Sequence, residues 1–179
     1  IPYFAQKLNI DLDYFKMAII GAGGKTSIPL IEKVIKNFGI KVICVMDKDE
    51  GNDLNPEYIY TSDRDFECDI VNKLFLNDAI DELIEIIDLY ERDGKNKNFQ
   101  KAKLEKNKEK LGIEINIEKD YTINQAIATG NNELIKLILI SWLWKTKDMV
   151  RGRLLGEQIS KNNIPEVYTI SLKKAKELT

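Results

Sequence analysis

Apolar positions change their spacing along this chain, from short dense runs in the first third to long helical stripes in the last. After Pro2, Tyr3, Phe4 and Leu8 fall at helix-like intervals, which predicts a helix over 1–8 and then a loop over 9–13. Met17-Ala18-Ile19-Ile20 is a short apolar run of the kind that forms a buried strand. It passes directly into Gly21-Ala22-Gly23-Gly24-Lys25-Thr26, after which Ile28, Leu30, Ile31, Val34, Ile35 and Phe38 recur with a helical period and Gly39 ends the pattern. A second run, Val42-Ile43-Cys44-Val45-Met46, then stops at acids and a glycine. Strand, glycine-rich turn, helix, strand predicts a right-handed βαβ unit.

Farther along, Tyr58-Ile59-Tyr60-Thr61 reads as another strand, and 78–90 as a helix with Asp78 at its cap. Residues 92–119 differ in kind, with nine basic side chains against five acidic ones. They predict a solvated helix flanked by loops, and 91–120 as a Lys-rich insertion. The segment 133–145 is apolar on nearly every side, Trp142 and Trp144 included, as a central or interface helix would be. Two more helices are predicted over 149–161 and 164–178, the second starting at Pro165. No linker composition interrupts the chain, so 1–179 is expected to form one domain of the α/β class, its second half mainly helical.

The acids that close the second run bring in chemistry. Asp47 and Asp49 sit where a strand ends, and ligands of open α/β sheets bind at the carboxyl ends of the strands. Residues i and i+2 of a strand share a face, so the two carboxylates would point the same way and repel unless a cation or proton lies between them. Between Asp47 and Asp69 there are nine carboxylates and two basic residues. One reading is a solvated acidic loop. The other uses Asp47-x-Asp49 with Asp65-x-Glu67 as hard oxygen ligands for Mg²⁺ or Mn²⁺. Two such ions ~4 Å apart can hold the attacking and leaving oxygens of a phosphodiester in line.

The glycine-rich turn also leaves alternatives. A nucleotide P-loop requires a glycine at position 19, which is Ile19, so the loop is one that closes too early to wrap a triphosphate. A tight structural turn, a phosphate contact through Gly23, Gly24 and Lys25, and, as the least favoured, a true nucleotide P-loop remain open.

Composition narrows the classes. With 179 residues, 44% of them hydrophobic, the chain can bury a sizeable core. A formal net charge of -2 excludes a bulk polycation, so any nucleic-acid contact must come from a local patch, a metal or a partner. The lack of histidine removes Ser-His-Asp and Cys-His catalysis and disfavours zinc. Cys44 and Cys68 form no close pair or metal-type cluster, a reduced, cytoplasmic pattern of usage. No apolar run reaches the ~20 residues of a membrane span.

Taken together, Gly23-Gly24-Lys25, Val45-Met46-Asp47-Lys48-Asp49 and Asp65-Phe66-Glu67 resemble the Toprim domain of OLD-family (overcoming lysogenisation defect) endonucleases. Arg151-Gly152-Arg153-Leu154 followed by Ile164-Pro165-Glu166 resembles that group's closing segment. The resemblance implies a Toprim-like Rossmannoid parallel sheet flanked by helices, and a DNA nuclease dependent on Mg²⁺ or Mn²⁺. It also implies fusion to an ABC-type ATPase in the same polypeptide and assembly as a homodimer, away from membranes. By position, Asp47, Asp49, Asp65 and Glu67 would bind metal. The family's first acid, a glutamate before glycine at a strand end, would precede Ile1 and marks this chain as an expected fragment. Where the family usually has lysine, this sequence has Arg151, able to offset phosphate charge but not to exchange a proton; Lys147 is a substitute one helical turn earlier. Two other functions compete, a nucleotide-binding regulatory domain on the 21–26 turn and an inactive Toprim used for docking or dimerisation through the Trp142 helix.

Overall fold

The computed structural model describes residues 1–48, 54–145 and 148–179. Helix dominates, and the chain divides into two compact units, Ile1–Asp69 with Ser160–Thr179, and Ile70–Ile159.

The first unit holds the αβ part. Helix α1 (Pro2–Lys7) has Pro at its first turn, where the missing N–H costs no bond, and buries Phe4 and Ala5. Gly23, at φ 72°, and Gly24 lead into a 3₁₀ turn over Lys25–Ser27 and then α2 (Ile28–Asn37). Gly39, at φ 73°, follows its C-terminus, a left-handed position that glycine adopts without strain. Strands β1 (Val45–Met46) and β2 (Ile59–Tyr60) pair in parallel, Val45 opposite Ile59 and Met46 opposite Tyr60. The helix α9 (Glu166–Glu177) returns to this unit, and its Tyr168 ring meets Phe66 edge-on at 4.8 Å and Phe4 at 5.8 Å.

The α/β character is therefore present, in a reduced form. Among the described residues the sheet has two strands, and Met17–Ile20 is not one of them. Its apolar run predicts burial, yet Ile19 is 41% and Ile20 60% exposed. A strand is defined by a neighbour that takes its N–H and C=O groups, and hydropathy carries no information about that neighbour.

In the second unit, α4 (Ile80–Tyr90) buries Leu83, Ile86 and Ile87. Asp78 does not cap it. It adopts φ 51°, and the cap position belongs to Ala79. Helix α5 (Lys101–Leu111) keeps its lysines outward while Leu104 and Asn107 face in. Asn107 donates to the Ser141 hydroxyl of α7 (Asn132–Lys145) at 2.8 Å, both residues being buried. A bridge between Phe99 and Tyr121 closes the loops around α5, so residues 91–120 contribute to this unit's interior. Helix α6 (Ile123–Thr129) starts with a reciprocal capping box of Thr122 and Gln125. Helix α7 is buried along most of its length, as its all-round apolar pattern predicts, and α8 (Met149–Gln158) follows. Among the described residues, no helix is long and apolar enough to cross a membrane.

Candidate functional site

Acidic side chains follow both strands along the chain. Asp47 directly follows β1 and is exposed. After β2 the chain turns through Thr61 to Arg64 and enters α3 (Phe66–Leu76), which begins in the first unit. Asp65 caps this helix, its Oδ1 accepting from the Cys68 N–H at 3.0 Å. Glu67 and Asp69 lie in its first turn. All three are buried or nearly so, at 9%, 9% and 6% exposure.

This corrects the picture of a second acid pair at a strand end. Asp65 and Glu67 open a helix, so the two-residue periodicity that would align their carboxylates does not apply. The helix itself was legible, since Asp65 precedes Ile70, Val71 and Leu74 at helical intervals and all three are fully buried. The acids drew the metal reading first and masked a helix cap.

Asp69 has structural work of its own. Its carboxylate accepts from the backbone N–H groups of Ser62 at 3.0 Å and Asp63 at 2.7 Å. Burial holds its carboxyl above the usual carboxylate range, against the pull of those two bonds. Tyr168 is the member that sequence reasoning missed. Its phenol is pushed up first by burial and then by the charges of Asp47, Glu67 and Asp69. One aromatic side chain thus lies within the fields of the acid after β1 and two acids of α3. The α9 sequence offered no signal for it, because Tyr168 looks like any apolar-face aromatic. The two cysteines are inert by comparison: burial raises both thiols, with Glu32 adding to the effect at Cys44 and Asp65 at Cys68.

The donor chemistry, carboxylate oxygen without histidine, suits Mg²⁺ or Mn²⁺. Among the described residues, however, no three His, Cys, Asp or Glu side chains form a group able to hold a metal by themselves. Asp49, expected as the partner of Asp47, lies outside the described residues, as does Lys147. Gly23, Gly24 and Lys25 are exposed in the turn before α2, and nothing lies within 4 Å of a side chain added at either glycine.

Residues 1–49 match the family described as Overcoming lysogenization defect protein-like, TOPRIM domain. This segment is similar to the OLD-like TOPRIM family. The match runs from α1 through β1 to the Asp47–Asp49 acids. No curated protein and no solved structure matches the chain.

Arg151 sits in the second unit and is 4% exposed. Its guanidinium lies between two aromatic rings, 4.6 Å from the Tyr90 centroid and 4.1 Å from that of Trp142. Nη1 donates to the carbonyls of Trp142 at 2.9 Å and Leu143 at 3.0 Å, near the end of α7 where the last carbonyls lack helical partners. Asp148 accepts from the Arg151 backbone N–H at 2.9 Å, and the Tyr90 hydroxyl donates to the same carboxylate. A residue expected to face phosphate is instead fastened to a helix end.

Proposed function

We propose that this chain is part of a divalent-metal-dependent DNA endonuclease of the two-metal type. We assign Asp47, Asp49, Asp65 and Glu67 as its metal ligands on their positions in the sequence. The observation that carries the reading is Asp47 directly after β1, where the OLD-like TOPRIM match ends, with Glu67 in the first turn of the helix that follows the paired strand β2. Bound Mg²⁺ or Mn²⁺ supplies Lewis-acid charge neutralisation and a water acidic enough to act near neutral pH. The chain's own residues position that chemistry. Asp65 fixes the start of α3, Asp69 fixes the preceding turn, and Glu67 extends from the first helical turn. Gly23, Gly24 and Lys25 are assigned to a DNA phosphate. Arg151 could offset phosphate charge only by leaving the Tyr90–Trp142 sandwich, so its first role here is structural. In the whole protein we place this chain beside an ABC-type ATPase, as a homodimer in the cytoplasm.

The test is a calorimetric titration of the full chain with Mn²⁺, alongside cleavage of a supercoiled plasmid. Saturable Mn²⁺ binding, weakened about tenfold or more by Asp47→Asn or Glu67→Gln, supports the reading. Absence of Mn²⁺ binding by the unaltered chain overturns it, and tight ATP binding without divalent ions would replace it with a nucleotide-binding domain.

A further inference from the structure

The parallel ladder ends in an unusual exchange of partners. Met46 pairs with Tyr60, so Asp47 comes opposite Thr61. The Thr61 N–H donates to the Met46 carbonyl at 3.0 Å, as the ladder requires. In an evenly continued parallel ladder, the Lys48 N–H would then go to the Thr61 carbonyl. It goes instead to the Thr61 hydroxyl, at 2.9 Å. The same hydroxyl donates to the Asp63 carbonyl at 2.7 Å, and Thr61 is 3% exposed.

We infer that Thr61 is the positioning residue of the acid site, holding Asp47 in register with the turn that leads to Asp65 and Glu67 at the start of α3. This rests on the metal-site reading given above. Asp47 is flanked by two groups, the Met46 carbonyl and the Lys48 N–H, and both are bonded to Thr61. Its backbone therefore cannot shift along β1 without breaking one of them. The bond to Asp63 transmits the same restraint to the turn before α3, which Asp69 grips from the other side through Ser62 and Asp63. A hydroxyl can do this because it accepts and donates at once. Valine has the same shape and neither capacity; serine has both.

The experiment compares the full chain with T61V and T61S by amide hydrogen exchange, Mn²⁺ calorimetry and denaturant unfolding. In the unaltered chain the Lys48 amide should exchange as slowly as the paired amides of β2. T61V should expose the Lys48 amide and weaken Mn²⁺ affinity about 10- to 100-fold, while T61S stays within about twofold on both counts. If T61V lowers the unfolding midpoint but leaves Mn²⁺ affinity unchanged, Thr61 is only structural and the inference fails. An unprotected Lys48 amide in the unaltered chain defeats it without any variant. Should the unaltered chain bind no Mn²⁺, the metal-site reading falls and the positioning role with it, whereas failure of Thr61 alone shows as normal binding in T61V.

Discussion

The two units bury their apolar residues very differently. In the second, α7 buries Leu134, Ile135, Leu137 to Leu143 in near succession, and Trp142 is 1% exposed. In the first, α2 and its C-cap carry an apolar stripe of Leu30, Val34 and Phe38, and these are 65%, 48% and 77% exposed. No residue of α2 is buried. The helical unit thus has the packing that sustains a fold, while the unit with the family match has, among the described residues, a two-stranded sheet and in α2 a helix with no buried residue. Stability and chemistry are assigned to different parts of the chain. A substitution should accordingly reveal which part it is in by what it changes.

The largest effect separates the two units directly. Trp142→Ala removes a fully enclosed ring that Tyr90 meets edge-on at 5.7 Å, and should cost about 3–5 kcal/mol in denaturant unfolding. Phe38→Ser removes an equally apolar ring from α2 and should stay within about 0.5 kcal/mol. Equal costs for the two would mean that the α2 face is covered in solution, and the contrast between the units would disappear.

The second unit was the easier to read. Helices α4, α7 and α8 followed from periodicity because each buries one face or all faces against neighbours in a way that local spacing records. Helix α6 was missed although Thr122-x-x-Gln125 announces its start. In the first unit the glycine turn, α2 and the closing Gly39 were legible from local rules. The first strand of the expected βαβ unit was not, since Met17–Ile20 has an apolar run and no described ladder partner. The acids show the same limit. Their residue types suggested hard-cation chemistry, but Asp65 serves as a helix cap, Asp69 as a clamp on two N–H groups, and Tyr168 joins from far along the chain. Sequence names donors; only the fold says which bonds they already make.

Arg151 provides the next contrast, between a residue chosen for chemistry and one used for packing. Arg151→Met keeps much of the side chain's bulk between Tyr90 and Trp142 but deletes the bonds to the Trp142 and Leu143 carbonyls. Hydrogen bonds from a charged donor contribute about 1.5–3 kcal/mol, so a loss of that order in unfolding free energy is expected, with Mn²⁺ affinity unchanged. An unaltered unfolding midpoint with weakened DNA binding would reverse the assignment and return Arg151 to the phosphate.

The smallest effect follows from the pair beside it. The Tyr90 hydroxyl, and then the Arg151 N–H, hold the Asp148 carboxyl below the usual carboxylate range. A carboxyl whose folded pKa is depressed contributes stability above its unfolded pKa of about 4 and loses it as pH falls through the folded value. Asp148→Asn should therefore lie below the unaltered chain in urea midpoint at about pH 6, and the gap should narrow toward about pH 3. Tyr90 supplies the opposite limb. The hydrogen bond to Asp148, followed by burial, raises its phenol, so the same contact weakens as pH climbs past about 10 and the proton is lost. Absorbance titration of the tyrosinate in Asp148→Asn should show one phenol ionising at lower pH than in the unaltered chain. A gap that does not change with pH, or a tyrosinate curve that does not move, would mean that the α8 cap stands without this pair. The second unit would then depend on packing alone.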